Sequence, residues 1–109
     1  DARATAIKRF ILIWSTAARA DMRRMYRHVL NESKSAEIAE RFVIDLEVKM
    51  RSVAASGVSG VPREHIAEDL RAFPYRQRCF YFRIIGNELV VVRVLHGRQD
   101  LSSKHFKGL

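Results

Sequence analysis

The sequence predicts an α+β domain: an N-terminal strand, then an antiparallel helix hairpin, then a three-stranded antiparallel meander. Three observations predict it. A run of β-branched and aromatic residues near the start is followed by two long stretches with apolar residues at helical spacing, and these are joined by a short polar break. The last third switches to period two, with two β-rich runs folded about Gly86-Asn87. Helices gathered in one part of the chain and strands in another point to segregated layers and not to alternating βαβ units.

Residues 1–7 carry no clear pattern, and Lys8 to Trp14 reads as the first strand. Ser15 or Thr16 offers a side-chain oxygen to cap a helix running to about Leu30. Its apolar stripe is Ala18, Met22, Met25, Tyr26, Val29 and Leu30, so Arg23, Arg24 and Arg27 face elsewhere, as a solvated face or towards an acidic partner. Asn31 to Lys34 forms the break. Ser35 caps the second helix, with Glu37 in its first turn, where a negative charge suits the helix dipole. The short connection makes the helices antiparallel neighbours. Helix two buries Ala39, Phe42, Val43, Leu46, Met50 and Val53, whereas Ile44 and Val48 lie roughly opposite, either as scattered surface aliphatics or as a seat for a partner.

Ser56 to Pro62, with Gly57, Gly60 and Pro62, reads as a loop without phosphate-loop spacing. Arg63 to Asp69 reads as a short turn of helix, and Leu70 to Phe73 as a strand with Pro74 at its edge or end. Gly86 suits the first position of a two-residue type II′ loop, which sets Ile85 opposite Glu88. Carried along both strands, that register pairs Phe80 with Arg93 and Arg78 with Leu95. One face then bears Arg78, Phe80, Phe82, Ile84, Leu89, Val91 and Arg93. The other bears Cys79, Tyr81, Arg83, Ile85, Val90, Val92 and Val94. Helices are expected over one face, with the face of Arg78 and Arg93 left partly open to a partner. The tail Leu101 to Leu109 is either mobile or docked on the sheet.

A chain of 109 residues suffices for one domain with one core. The formal charge of +8 favours an acidic partner or nucleic acid, and it is unevenly spread. Residues 1–34 hold 8 basic and 3 acidic groups, 35–70 hold 4 and 7, and 71–109 hold 8 and 2, so the excess is a localised surface. Cys79 has no disulfide partner and sits in a strand pattern as a buried thiol, which suits a reducing cytoplasm. The apolar run Phe10 to Trp14 is too short for a membrane span. The histidines at 28, 65, 96 and 105 are dispersed and paired cysteines are absent, so no metal or cofactor is expected. Nucleophile-elbow, Walker and dinucleotide motifs are missing, as are a stacking platform for single strands and an obvious recognition helix.

The run Arg78-Cys79-Phe80-Tyr81-Phe82-Arg83, followed by Val92-Arg93-Val94-Leu95-His96-Gly97-Arg98-Gln99-Asp100, resembles the ParE toxins of bacterial type II toxin-antitoxin modules, within the RelE/ParE superfamily. The resemblance extends to the preceding strand and more weakly to the two helices. It implies a single toxin domain over residues 1–109, within which 1–7 and 101–109 are ends read as either flexible or ordered. It also implies a non-enzymatic cytoplasmic inhibitor of DNA gyrase that blocks replication, serves plasmid stabilisation and is neutralised by a ParD-like antitoxin. Operator DNA would be met only through that antitoxin, and no membrane is involved. The rival within the superfamily is a RelE-like ribosome-dependent endoribonuclease, which uses clustered Lys and Arg with a Tyr or His. Against that pattern the chain keeps Arg71 (where RelE has Lys), Arg78 and Arg98, with His96 and His105 nearby in sequence for proton transfer. Asp69 replaces a second Lys and Lys104 replaces the Tyr, and an acid beside a scissile phosphate is unfavourable, so the ParE reading is preferred. Under it, Arg78, Arg93, His96 and Arg98 form the target-binding surface, with Gly97 freeing the chain to leave the strand before Arg98. The plain alternative pairs Arg78, Arg83 and Arg93 with carboxylates of helix two such as Glu40 or Glu47. The antitoxin arm is expected over Ile44 and Val48, with its acids against Arg23, Arg24 and Arg27.

Overall fold

The computed structural model describes residues 9–57, 60–97 and 103–106. Its elements are β1 (Ile11–Trp14), α1 (Thr16–Ser33), α2 (Ala36–Ser56), β2 (Val61–Pro62), β3 (Arg71–Tyr75), β4 (Arg78–Ile85), β5 (Glu88–His96) and a 3-10 turn at Ser103–Phe106. The strands form one sheet in the order β1-β5-β4-β3-β2, with β1 parallel to β5 and the other pairs antiparallel. The α+β class and the strand, helix pair and meander are as the sequence predicts. The two-residue β2 is an addition within the stretch read as loop. It is drawn onto β3 at Gly60, which has a φ of 68° and passes so close that a Cβ would lie 2.6 Å from the Ala72 carbonyl oxygen.

Ser15 is the cap of α1: its hydroxyl accepts from the Ala18 amide at 3.0 Å and donates to the Val92 carbonyl at 2.9 Å. The same side chain therefore starts the helix and pins it to β5. α1 continues three residues beyond Leu30 because Asn31 to Ser33 contain no breaker. It ends at Lys34, whose left-handed backbone (φ 59°) returns its amide to the Leu30 carbonyl at 2.8 Å. Ser35 caps α2 through the Ile38 amide at 3.2 Å, and Gly57 closes that helix at φ 76°.

Both helices lie on one side of the sheet. Met22, Met25, Leu46, Met50 and Val53 pack there against Phe80, Phe82, Leu89, Val91 and Val94. The face expected to stay open is thus the covered one: Phe80 and Phe82 are fully buried against the helices, which removes a large apolar area from water, whereas Tyr81 on the other face brings a hydroxyl with it. The opposite face has a thinner cover: Phe106 meets Tyr81 edge-on at 5.3 Å and shares a cluster with Leu70, Ala72, Cys79, Val92 and Leu95. The described part of the tail is therefore docked. Towards β1, this face leaves Ile11, Ile13 and Ile85 exposed.

The hairpin turn is as predicted in its first half. Gly86 has a φ of 60° and Asn87 is not left-handed, and Ile85 pairs with Glu88 through to Phe82 with Val91. Between Phe82 and Tyr81 the register shifts by one, so Tyr81 faces Arg93, Phe80 faces Val94 and Arg78 faces His96, not Leu95. An inserted residue in β5 breaks the alternation there. As a result Val91 and Val94, three apart, both join the helix-side core, while Val92 and Leu95 join the other. Arg63 to Asp69 is a set of turns and not a helix: the Ile66 amide returns to the Arg63 carbonyl at 2.9 Å, and the Arg63 amide closes the loop on Leu70 at 2.7 Å. β3 runs on through Pro74, which β2 does not reach, so the missing amide hydrogen falls at a sheet edge.

Candidate functional site

A cleft opens where α1 lies against the end of the β4–β5 hairpin, lined by Asp21, Arg24, Met25, His28, Arg78, Arg93, Val94, Leu95 and His96. Its deepest group is Asp21, the one charged side chain among the buried described residues. Asp21 accepts from Arg93 Nε at 2.7 Å, from Arg93 Nη2 at 2.8 Å and from the Val94 amide at 2.9 Å, and it is also paired with Arg24. These partners satisfy a carboxylate taken out of water, and the bond to Asp21 raises the Arg93 pKa. Arg93 Nη1 also donates to the His105 carbonyl at 2.8 Å. Arg93, expected on a partner-facing surface, is therefore a joint between α1, β5 and the C-terminal turn. The physical reason is the bulge, which takes it out of the alternation. Asp21 belongs to no motif, but its place three residues after Ala18 and four before Met25 puts it on the apolar stripe itself.

Arg78 is different. Its Nε lies 3.2 Å from Met25 Sδ and its guanidinium carbon 5.4 Å from the centre of the Phe42 ring. Half-burial lowers its pKa, and among the described residues no carboxylate is paired with it. Neither Glu40 nor Glu47 pairs with the strand arginines: Arg83 Nε donates to the Glu68 carbonyl at 3.1 Å, and Arg93 is held by α1. His96 is exposed and faces Arg78 across the hairpin. Arg98 lies outside the described residues. Gly97 is not left-handed; its amide donates to the Gln77 carbonyl at 2.8 Å, and a Cβ would meet that oxygen at 3.3 Å, so close approach is what favours glycine there.

The residues matched to the endoribonuclease pattern do not all converge. Arg71 faces Phe82 while Arg78 faces Tyr75, so about 13 Å of strand separates the two positions at ~3.3 Å per residue. Arg71 donates to the Gly60 carbonyl at 3.4 Å, and His105 lies beside Phe106 with its carbonyl bound to Arg93. Ile44 and Val48 are 54% and 48% exposed on α2, as their spacing suggested. Arg23 and Arg27 are exposed on α1, but Arg24 turns towards Asp21, and Arg23 lines a separate hollow with Trp14, Met22, Tyr26, Val43 and Glu47. Among the described residues no cluster of His, Cys, Asp or Glu could hold a metal ion, and no helix is long and apolar enough to cross a membrane.

Residues 12–101 match a protein family described as the ParE toxin of the type II toxin-antitoxin system parDE. No curated protein matches the chain. A solved structure described as the chromosomal ParDE TA system from P. aeruginosa has a chain of similar fold, with a TM-score of 0.68 and 21% identity, covering 80% of this chain and 95% of that one.

Proposed function

Because the chain belongs to the ParE toxin family of type II toxin-antitoxin systems, we propose that it is a non-enzymatic, cytoplasmic inhibitor of DNA gyrase, held inactive by a ParD-like antitoxin. What supports the non-catalytic part is the depletion of the would-be catalytic set. RNA cleavage needs cations around one phosphate and a proton-transfer pair within hydrogen-bond reach, yet Asp69 and Lys104 stand where the endoribonuclease pattern has a Lys and the Tyr, and His105 lies beside Phe106 with its carbonyl bound to Arg93. The remaining groups at the Arg78 end suit binding: a half-buried arginine without a carboxylate, and an exposed histidine opposite it.

In this reading Arg78, His96 and Arg98 meet the target, and Arg93 supports them from behind through Asp21. The antitoxin covers the outer side of α2 at Ile44 and Val48, with its acids near Arg23 and Arg27. Arg98→Ala tests the target surface. It is expected to abolish inhibition of supercoiling by purified gyrase while costing less than about 0.5 kcal/mol of stability, the usual range for a residue without a structural role. Full inhibition by a folded Arg98→Ala protein, or loss only because the variant unfolds, contradicts the assignment.

A further inference from the structure

The arginines around the closed end of the helix hairpin are not equivalent. Arg24 and Arg93 share Asp21, Arg41 pairs with Glu37 at 2.9 Å, and Arg76 pairs with Asp45 at 2.7 Å. Arg78 stands among them without a carboxylate among the described residues, although it is more deeply set than Arg24, Arg41 and Arg76. Its Nε is turned to the Met25 sulfur, a weak acceptor, and one face lies over the Phe42 ring. The four N–H groups of its two terminal nitrogens have no acceptor among the described residues, and that edge can grip an oxyanion with two parallel bonds. A cation that has lost water without gaining a counter-charge gives an incoming anion more than an exposed one does.

The surroundings favour one class of anion. Phe42 also lines an adjoining hollow with Ile38, which is 50% exposed, and with Arg41, Asp45 and Arg76. On the other side Met25, Val94 and Leu95 are the apolar part of a cleft wall that also holds Arg24, His28 and Arg93. The cations of the cleft suit any anion, but a phosphodiester backbone gains nothing from the hollow at Ile38 and Phe42, whereas a peptide can set a carboxylate on the arginine and an aliphatic side chain in that hollow. We propose that Arg78 is the carboxylate receptor of a docking site for an acidic peptide segment, with Phe42 and Ile38 seating an apolar residue about one helical turn from the acid. This rests on reading the Arg78–His96 end as a contact surface, but not on gyrase being the partner.

The test uses the whole chain labelled with nitrogen-15 at arginine, observed by the Nε–H resonances. The probes are a capped helical peptide carrying a Glu with a Leu one turn away, its Glu→Gln counterpart, and duplex DNA. The acidic peptide should shift the Arg78 resonance saturably, the Gln peptide should not, and Arg78→Lys should weaken binding about tenfold by losing the two-bonded fork. The backbone amide spectrum of Arg78→Lys shows whether that variant is folded, and Ile38→Ser provides a second variant, expected to weaken the peptide without touching the charge. A shift with duplex DNA and none with the acidic peptide overturns the proposal in favour of a nucleic-acid contact. A response to neither, or equal binding of the Glu and Gln peptides, also overturns it. Failure of gyrase inhibition with peptide binding intact would instead remove the proposed target and leave the receptor standing.

Discussion

Asp21 and Arg93 show what a single residue pair decides in this protein. The carboxylate is 4% exposed and receives four donors from α1 and β5, so taking away its charge leaves the part-buried Arg93 guanidinium without a counter-charge. Asp21→Asn is expected to cost about 3 kcal/mol in urea unfolding. Glu37→Gln, which breaks the 75%- and 79%-exposed pair with Arg41, should change stability by less than about 0.5 kcal/mol. Equal costs would mean that Asp21 is no keystone. Cys79 supplies a second check. Burial raises the thiol pKa, and the Tyr81 hydroxyl beside it is raised too, mainly by burial. The unfolded chain therefore releases both protons at lower pH than the folded one. Stability contributed by their protonated forms is present below the unfolded thiol pKa of about 8.5 and declines as pH rises above it. Labelling of Cys79 by an aromatic disulfide at pH 8 should accordingly run no faster than opening of the sheet, and prompt reaction in the folded protein would contradict that burial. Part of this was legible beforehand: Cys79 reads as a buried strand thiol, and an acid on an apolar stripe is visible in the sequence. The partner of Asp21 was not, because the pairing arises from a bulge with no residue signature.

At the scale of elements, local signals succeeded where a side chain or a backbone conformation has only one physical use. Ser15 and Ser35 cap their helices, and Gly86 makes its turn because a left-handed residue is needed at the first position. They failed where the fold overrides local preference. Arg76 and Gln77 join β3 to β4 with φ of 51° and 63°, a turn usually marked by Asn or Gly, and the chain accepts the strain. The turn is held by Arg76 pairing with Asp45 at 2.7 Å and by the Gly97 amide on the Gln77 carbonyl at 2.8 Å. Gln77→Gly should relieve about 1–2 kcal/mol of left-handed strain and give back about 0.5–1 kcal/mol through unfolded-chain entropy. A net gain of up to about 1.5 kcal/mol in denaturant unfolding is expected, and a loss would show that the Gln77 side chain has a role of its own. The covered sheet face differs from the expected one for a related reason: alternation gives two apolar faces on β4 and β5, and the helices take the one whose side chains, Phe80, Phe82, Leu89 and Val91, are wholly apolar.

Across the whole molecule, the uneven charge seen in the sequence becomes a division of labour. The acidic stretch supplies α2 with Glu37 and Asp45, which hold Arg41 and Arg76, and the basic ends gather around the cleft at Arg78. The outer side of α2, with Ile44 and Val48, lies apart from the cleft-lining residues, so the two proposed surfaces can be tested separately. Replacing both residues with Asp should weaken the antitoxin complex by about 2 kcal/mol or more in a titration, because apolar contact is lost and charge must be desolvated. An unchanged dissociation constant in a folded protein would put the arm elsewhere. Fold class and the place of both helices along the chain were readable from periodicity, whereas the cleft was not, since it is assembled from residues far apart in the chain whose meeting depends on the register shift. The central claim, that this basic end works by binding and not by cleaving RNA, is tested most directly by giving the purified protein in parallel to translating ribosomes and to gyrase. Messenger RNA should remain intact while supercoiling falls; codon-dependent cuts in the ribosomal A site with gyrase unaffected would contradict the account.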